Sequence, residues 1–222
     1  DQLLKWTGST ANLAALGGAP PSRAGALTAY KNFIVLIDTT EMEIRYPSRV
    51  RWSGLNNSED WPAANFTPLY LSGGQIAKGF GKIRDQLYIF LDKSIHQMAY
   101  TGNNTSPFVF SVLAPNVGAV SGQAVVTIDT GCFFLGPKGP YLFQGSDPVY
   151  IGAPIEGTWK TVNQSRLQYA IGCHNPLYNE VWWLFSTGAG TTYDTTLVYN
   201  YVNETWSIFQ FGITPTCCGQ FF

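Results

Sequence analysis

A period of about 48 residues constrains this chain more than any other feature it carries. An aromatic residue followed by Ser or Thr and then Gly closes an apolar alternation at Trp6-Thr7-Gly8, Trp52-Ser53-Gly54 and Tyr100-Thr101-Gly102, with a weaker copy at Phe143-Gln144-Gly145. These marks stand at positions 6, 52, 100 and 143, so they are 46, 48 and 43 residues apart. A less regular fifth mark is Tyr199-Asn200-Tyr201. Four apolar runs repeat in phase: Phe33-Ile34-Val35-Leu36-Ile37, Leu87-Tyr88-Ile89-Phe90-Leu91, Cys132-Phe133-Phe134-Leu135 and Val181-Trp182-Trp183-Leu184-Phe185, with starts 54, 45 and 49 residues apart. Each is short, rich in β-branched and aromatic residues, and bounded by turn formers such as Asp92-Lys93-Ser94 or Gly136-Pro137-Lys138-Gly139. That pattern predicts a strand buried on both faces rather than a helix.

Ahead of each run lies a Gly- or Ala-rich segment, at 26–31, 76–83, 124–129 and 167–173. Small residues suit an innermost strand, where backbones crowd. Behind each mark follows a more variable fourth strand, at 68–71, 108–113, 148–151 and 205–211. Four strands per unit at this spacing predict an all-β chain, a β-propeller of four-stranded antiparallel blades. About four full blades are expected, roughly 26–72, 76–113, 122–151 and 167–211, within one domain, or a fragment of one, spanning 1–222. Residues 3–16 read as half of a further blade, which must be completed by the C-terminal tail, by residues outside the sequence, or by a neighbouring chain. One helical turn is expected in 156–166, and Gly17-Gly18-Ala19-Pro20-Pro21 reads as a connection between blades. The segment 199–207 resembles a kelch-type hairpin, an aromatic strand, a turn and then Trp206, in a single copy.

Charged residues make up only 12% of the chain against a usual quarter or so, and aromatics 15%. A surface so poor in charge suggests coverage by other subunits. The net charge of -1, with acids among the bases, gives no footprint for free nucleic acid or an acidic membrane. Cys132, Cys173, Cys217 and Cys218 form no C-x-x-C pair, and a reducing compartment of synthesis is expected. No apolar run approaches 18 residues, so no membrane span is expected, and no signal peptide is read. The start at Asp1 points to a processed product or a fragment.

Candidate chemistry is sparse. Asp129-Thr130-Gly131 resembles the active-site turn of aspartic proteases, whose two aspartates share a proton; the nearest second copy, Asp38-Thr39-Thr40, lacks the glycine. Asp129 also stands in the turn between the first two strands of its blade, where Lys31-Asn32 and Arg84-Asp85 stand in the others, so a structural turn is expected. His96 and His174 have no orienting acid placed by the sequence and read as satisfied strand histidines. No catalytic residue, cofactor site or metal site is assigned, and the chain is read as a non-enzyme. Arg45, Arg49, Arg51, Lys78, Lys82 and Arg84 are a candidate basic rim of mixed charge, because Glu41, Glu43, Glu59, Asp60 and Asp85 lie among them. The polar turn Gly54-Leu55-Asn56-Asn57-Ser58-Glu59-Asp60, closing on Trp61, is the candidate subunit-contact loop.

The segment 49–61 (RVRWSGLNNSEDW), together with 87–90 leading into 94–98, 133–135 with 139–143, and the hairpin at 198–206, resembles the β-propeller proteins of bacteriophage tails, in particular nozzle or head-to-tail hub components of short-tailed phages. The resemblance implies a virion structural protein made in the host cytoplasm. It implies a ring of copies around the DNA conduit, in contact with other tail proteins and non-specifically with passing DNA. Such proteins are usually longer than this chain. The alternative reading is a propeller module that binds a host glycan or receptor through Trp61, Tyr70 and Tyr193.

Overall fold

The computed structural model describes residues 3–8, 12–69, 74–210 and 215–218. A two-stranded pair, β1 (Leu4–Lys5) with β2 (Ala14–Ala15), precedes four four-stranded antiparallel sheets, in each of which the strands pair in chain order. The first sheet is β3 (Ala26–Tyr30), β4 (Phe33–Glu41), β5 (Ile44–Trp52) and β6 (Phe66–Pro68). The second is β7 (Ala77–Ile83), β8 (Gln86–Leu91), β9 (Ile95–Tyr100) and β10 (Phe108–Ala114). The third comprises β11 (Val126–Ile128), β12 (Gly131–Gly136), β13 (Gly139–Phe143) and β14 (Val149–Tyr150). The fourth holds β15 (Ile171–Asn175), β16 (Glu180–Phe185), β17 (Thr195–Asn200) and β18 (Thr205–Phe209). The sheets recur at the spacing of the sequence period because each unit is one meander of hairpins.

The apolar runs become the second strands, and their alternation explains the packing. In β8, Leu87, Ile89 and Leu91 join Val35, Ile37, Val50 and Trp52 of the first sheet. Tyr88 and Phe90, one step out of phase, join Cys132, Phe134 and Phe143 of the third. In β12, Phe133 and Leu135 face the other way and meet Val181, Trp183 and Phe185 of the fourth. Leu36 of β4 packs on Leu3 and Trp61. Each full burial of such a side chain contributes about 1.5–3 kcal/mol, so the second and third sheets are each held to both neighbours by their second strand. Trp52 meets Phe108 edge-on at 5.5 Å and Phe110 at 6.0 Å, which makes it a packing residue between sheets.

The first strands lie side by side in chain order, β3 by β7, β7 by β11 and β11 by β15. Glycine is needed where β7 meets the 3-10 turn that leads into β11. A Cβ on Gly122 would stand 1.8 Å from the Lys78 carbonyl oxygen, and one on Gly79 would stand 2.7 Å from the Gly122 Cα.

Several expected boundaries are corrected. Residues 167–169 form a 3-10 turn rather than a strand, since Leu167 is drawn into the core between the third and fourth sheets and Ala170 N–H donates to the Leu167 carbonyl. Ala124 likewise ends a 3-10 turn, Gly122–Ala124, before β11 begins. The fourth strand of the first sheet is Phe66–Pro68, with Arg51 opposite Phe66; the expected extension through Tyr70 and Leu71 lies outside the described residues, as does that of β18 to Phe211. The helical turn in 156–166 is α1 (Glu156–Trp159), which buries Trp159.

Candidate functional site

The loop 54–61 is built by its own backbone. Gly54 N–H donates to the Asp60 carbonyl at 2.7 Å, Asn56 N–H to Asn32 at 2.9 Å, and the Trp61 indole to the Ser58 carbonyl at 2.9 Å. Arg51, itself buried, holds the far side by donating to the Pro62 and Trp61 carbonyls at 2.6 and 3.3 Å. Leu55, Asn56, Asn57, Ser58 and Asp60 are exposed, whereas Gly54 and Trp61 are buried. Glu59 is engaged by the N-terminal segment: it accepts from Lys5 Nζ at 2.5 Å and Gly17 N–H at 3.0 Å. These bonds hold its carboxyl below the ordinary range. Burial of the Trp61 ring at 7% exposure overturns its expected use as a sugar platform. Tyr193 donates its hydroxyl to the Tyr169 carbonyl at 2.6 Å, and Tyr70 lies outside the described residues.

The six residues of the expected basic rim occupy three places rather than one. Arg49 and Arg51 both face Glu41, and the Arg49 guanidinium lies 3.4 Å over the Tyr46 ring. Arg45 grips Asp38 with two bonds of 2.7 and 2.8 Å, and lines with Lys78 a cleft of about 660 Å³ at the starts of β3 and β7. Lys82 and Arg84 lie at the other end of β7, in a second cleft of about 530 Å³. The division follows from geometry: residues 78 and 84 sit near opposite ends of one strand at about 3.3 Å per residue.

The second cleft gathers Lys82, Arg84, Thr127, Ile128, Asp129, Thr130, His174 and Tyr201, all from the ends of first strands or adjoining turns, except Tyr201, which follows β17. His174 Nε2 is 3.0 Å from the Tyr201 hydroxyl, which also reaches Asn179 Oδ1 at 3.3 Å. Burial pushes the His174 imidazole below its usual pKa, against the opposing pull of Asp129, and burial raises the Tyr201 phenol. Asp129 and Thr130 form the tight turn between β11 and β12. Asp38 belongs to the other cleft, so the two aspartates share no site. This cleft was missed by residue pattern alone, because Tyr201 comes from a turn two strands away.

His96 is a buried, satisfied histidine: its Nε2 is 3.0 Å from Ser94 Oγ, which directs its own proton to Gln75 Oε1 at 2.5 Å. A serine that donates away from the imidazole is not an activated nucleophile. Burial lifts the Cys132 thiol to about 11. Cys218 lies beside Cys173 of β15, and no disulfide links the cysteines.

The outer rim is the remaining surface. β6, β10, β14 and β18 are the edge strands, and none carries a charged residue. Each exposes large apolar groups instead: Phe66, Val109 and Val112, Val149, and Ile208 with Phe209. Among the described residues no helix is long and apolar enough to cross a membrane. No protein-family model matches the chain, and no curated protein matches it.

Proposed function

We propose that the chain is a propeller-type structural subunit of a phage tail, assembling with further copies of itself into a ring around the DNA conduit. The observation that carries the reading is the uncharged, apolar character of all four outer edge strands. Exposed edges offer unpaired N–H and C=O groups to other chains, and proteins ordinarily guard them with charge. β6 and β14 are short, β6 ends in Pro68, and β10 has a bulge near Val112, whereas β18 has none of these devices. An apolar perimeter on a chain so poor in charge fits coverage by a second copy. Closure into a propeller is supported by the chain-ordered row of first strands with a cleft at either end. Residue 218 lies beside Cys173 of β15, on the face turned away from the third sheet.

The test is the mass of the purified chain in solution, with Ile208→Lys as the comparison. A ring that the lysine converts to smaller species supports the reading; a monomer at tens of micromolar refutes it.

A further inference from the structure

We propose that the cleft at the ends of β7, β11 and β15 binds a carboxylated sugar, with Lys82 and Arg84 on the carboxylate, Asp129 and Thr130 on ring hydroxyls, and Tyr201 with Ile128 as the apolar wall. The first observation is charge left over. In the first sheet, Lys31, Arg45, Arg49 and Arg51 each face an acid, whereas Lys82 and Arg84 have no ion-pair partner among the described residues. The acid next in sequence to Arg84, Asp85, is taken by Lys31. The second is the sign and size of the field. Two cations against Asp129 leave one net positive charge, and His174 adds none at neutral pH because burial holds its imidazole below the usual range. One net positive charge suits a monoanion.

Asp129 decides between classes of anion. A carboxylate inside the cleft repels a phosphate carrying a second charge, yet it is a strong acceptor for hydroxyl donors. A polyol with one carboxylate uses both halves of this lining, and the Tyr201 ring offers an aromatic face to sugar C–H groups. The cations also form no track for a polymer backbone: Lys78, the next base along β7, lines the opposite cleft. The wall is fixed in advance, since Tyr201 is stacked on Phe133 at 5.9 Å and tied to His174, and Lys82 N–H donates to Thr127 Oγ1 at 3.4 Å across the two inner strands. The inference stands apart from the ring, since the cleft belongs to one chain.

The test is isothermal titration of the full chain with glucuronate, galacturonate and N-acetylneuraminate, beside glucose, acetate, inorganic phosphate and a short single-stranded DNA. Saturable binding of at least one acidic sugar in the millimolar range or tighter is expected, with glucose and acetate at least tenfold weaker. Lys82→Gln should weaken it about tenfold. Arg84→Asn should do the same without loss of folding, because Arg84 holds φ +52°, a conformation asparagine accepts more readily. Asp129→Asn should reduce discrimination against phosphate. Failure of all three sugars to saturate, acetate or phosphate binding as tightly as the sugars, sugar binding unchanged in Lys82→Gln and Arg84→Asn, or DNA alone binding through Lys82 and Arg84 would each overturn the proposal.

Discussion

Replacing Trp52 by alanine should reveal how strongly successive sheets depend on one another. The indole is 6% exposed and lies between Phe108 and Phe110 of the next sheet. Burying roughly 200 Å² of aromatic surface at about 25 cal/mol/Å² gives about 5 kcal/mol. Against this, the indole Nε1 has no hydrogen-bond partner among the described residues, which costs about 1–3 kcal/mol. The net expectation for Trp52→Ala is a loss of about 3 kcal/mol in urea unfolding. Trp52→Phe keeps most of the area and removes the orphaned N–H, so it should fall within about 1 kcal/mol of the parent. A double-mutant cycle with Phe108→Leu should give a coupling of about 1 kcal/mol, the value for an aromatic pair in edge contact. If Trp52→Phe costs as much as Trp52→Ala, or the cycle is additive, the indole is not the joint between these sheets.

Other consequences follow from the same contacts. Gly122→Ala drives a Cβ into the Lys78 carbonyl and should destabilise by more than about 2 kcal/mol in the same assay, unlike Gly157→Ala, where the space is open. Glu59 has its folded pKa depressed by Lys5 and the Gly17 N–H, so its support of the N-terminal segment is present above the ordinary carboxylate pKa and lost as pH falls through the depressed value. The protection factor of the Gly17 amide, its exchange rate divided out by the intrinsic rate at each pH, should therefore fall at acid pH in the parent chain and stay constant in Glu59→Gln. Mild oxidation with diamide should link Cys173 to Cys218 before any bond to Cys132, whose thiol is buried and held protonated; peptide mass mapping reads the outcome.

The sheets were legible in the sequence because the apolar runs carry two signals at once. Leu87, Ile89 and Leu91 alternate with Tyr88 and Phe90, and a run apolar at every position has to be covered from both sides. The turns between first and second strands were equally legible, which placed Arg84 and Asp129 at equivalent points of adjacent units. What the pattern could not supply was side-chain direction. Trp61 stands in a polar loop and turns inward onto Leu36 and Leu3. Arg51 alternates like a surface residue but is buried to cap the carbonyls of Pro62 and Trp61. Residues 167–173 hold Ala170, Gly172 and Cys173 and so resemble an inner strand, yet Leu167 reaches the core from a 3-10 turn and the strand begins only at Ile171.

In the proposed ring the uncharged outer edges are covered by further copies of the chain. Hydrogen exchange of the edge strands as a function of protein concentration tests it directly. Amides of β10 and β18 should gain protection together with the appearance of a ring in electron micrographs, and Ile208→Lys should remove both. Edge amides that exchange fast at every concentration, in a chain that stays monomeric, would contradict it.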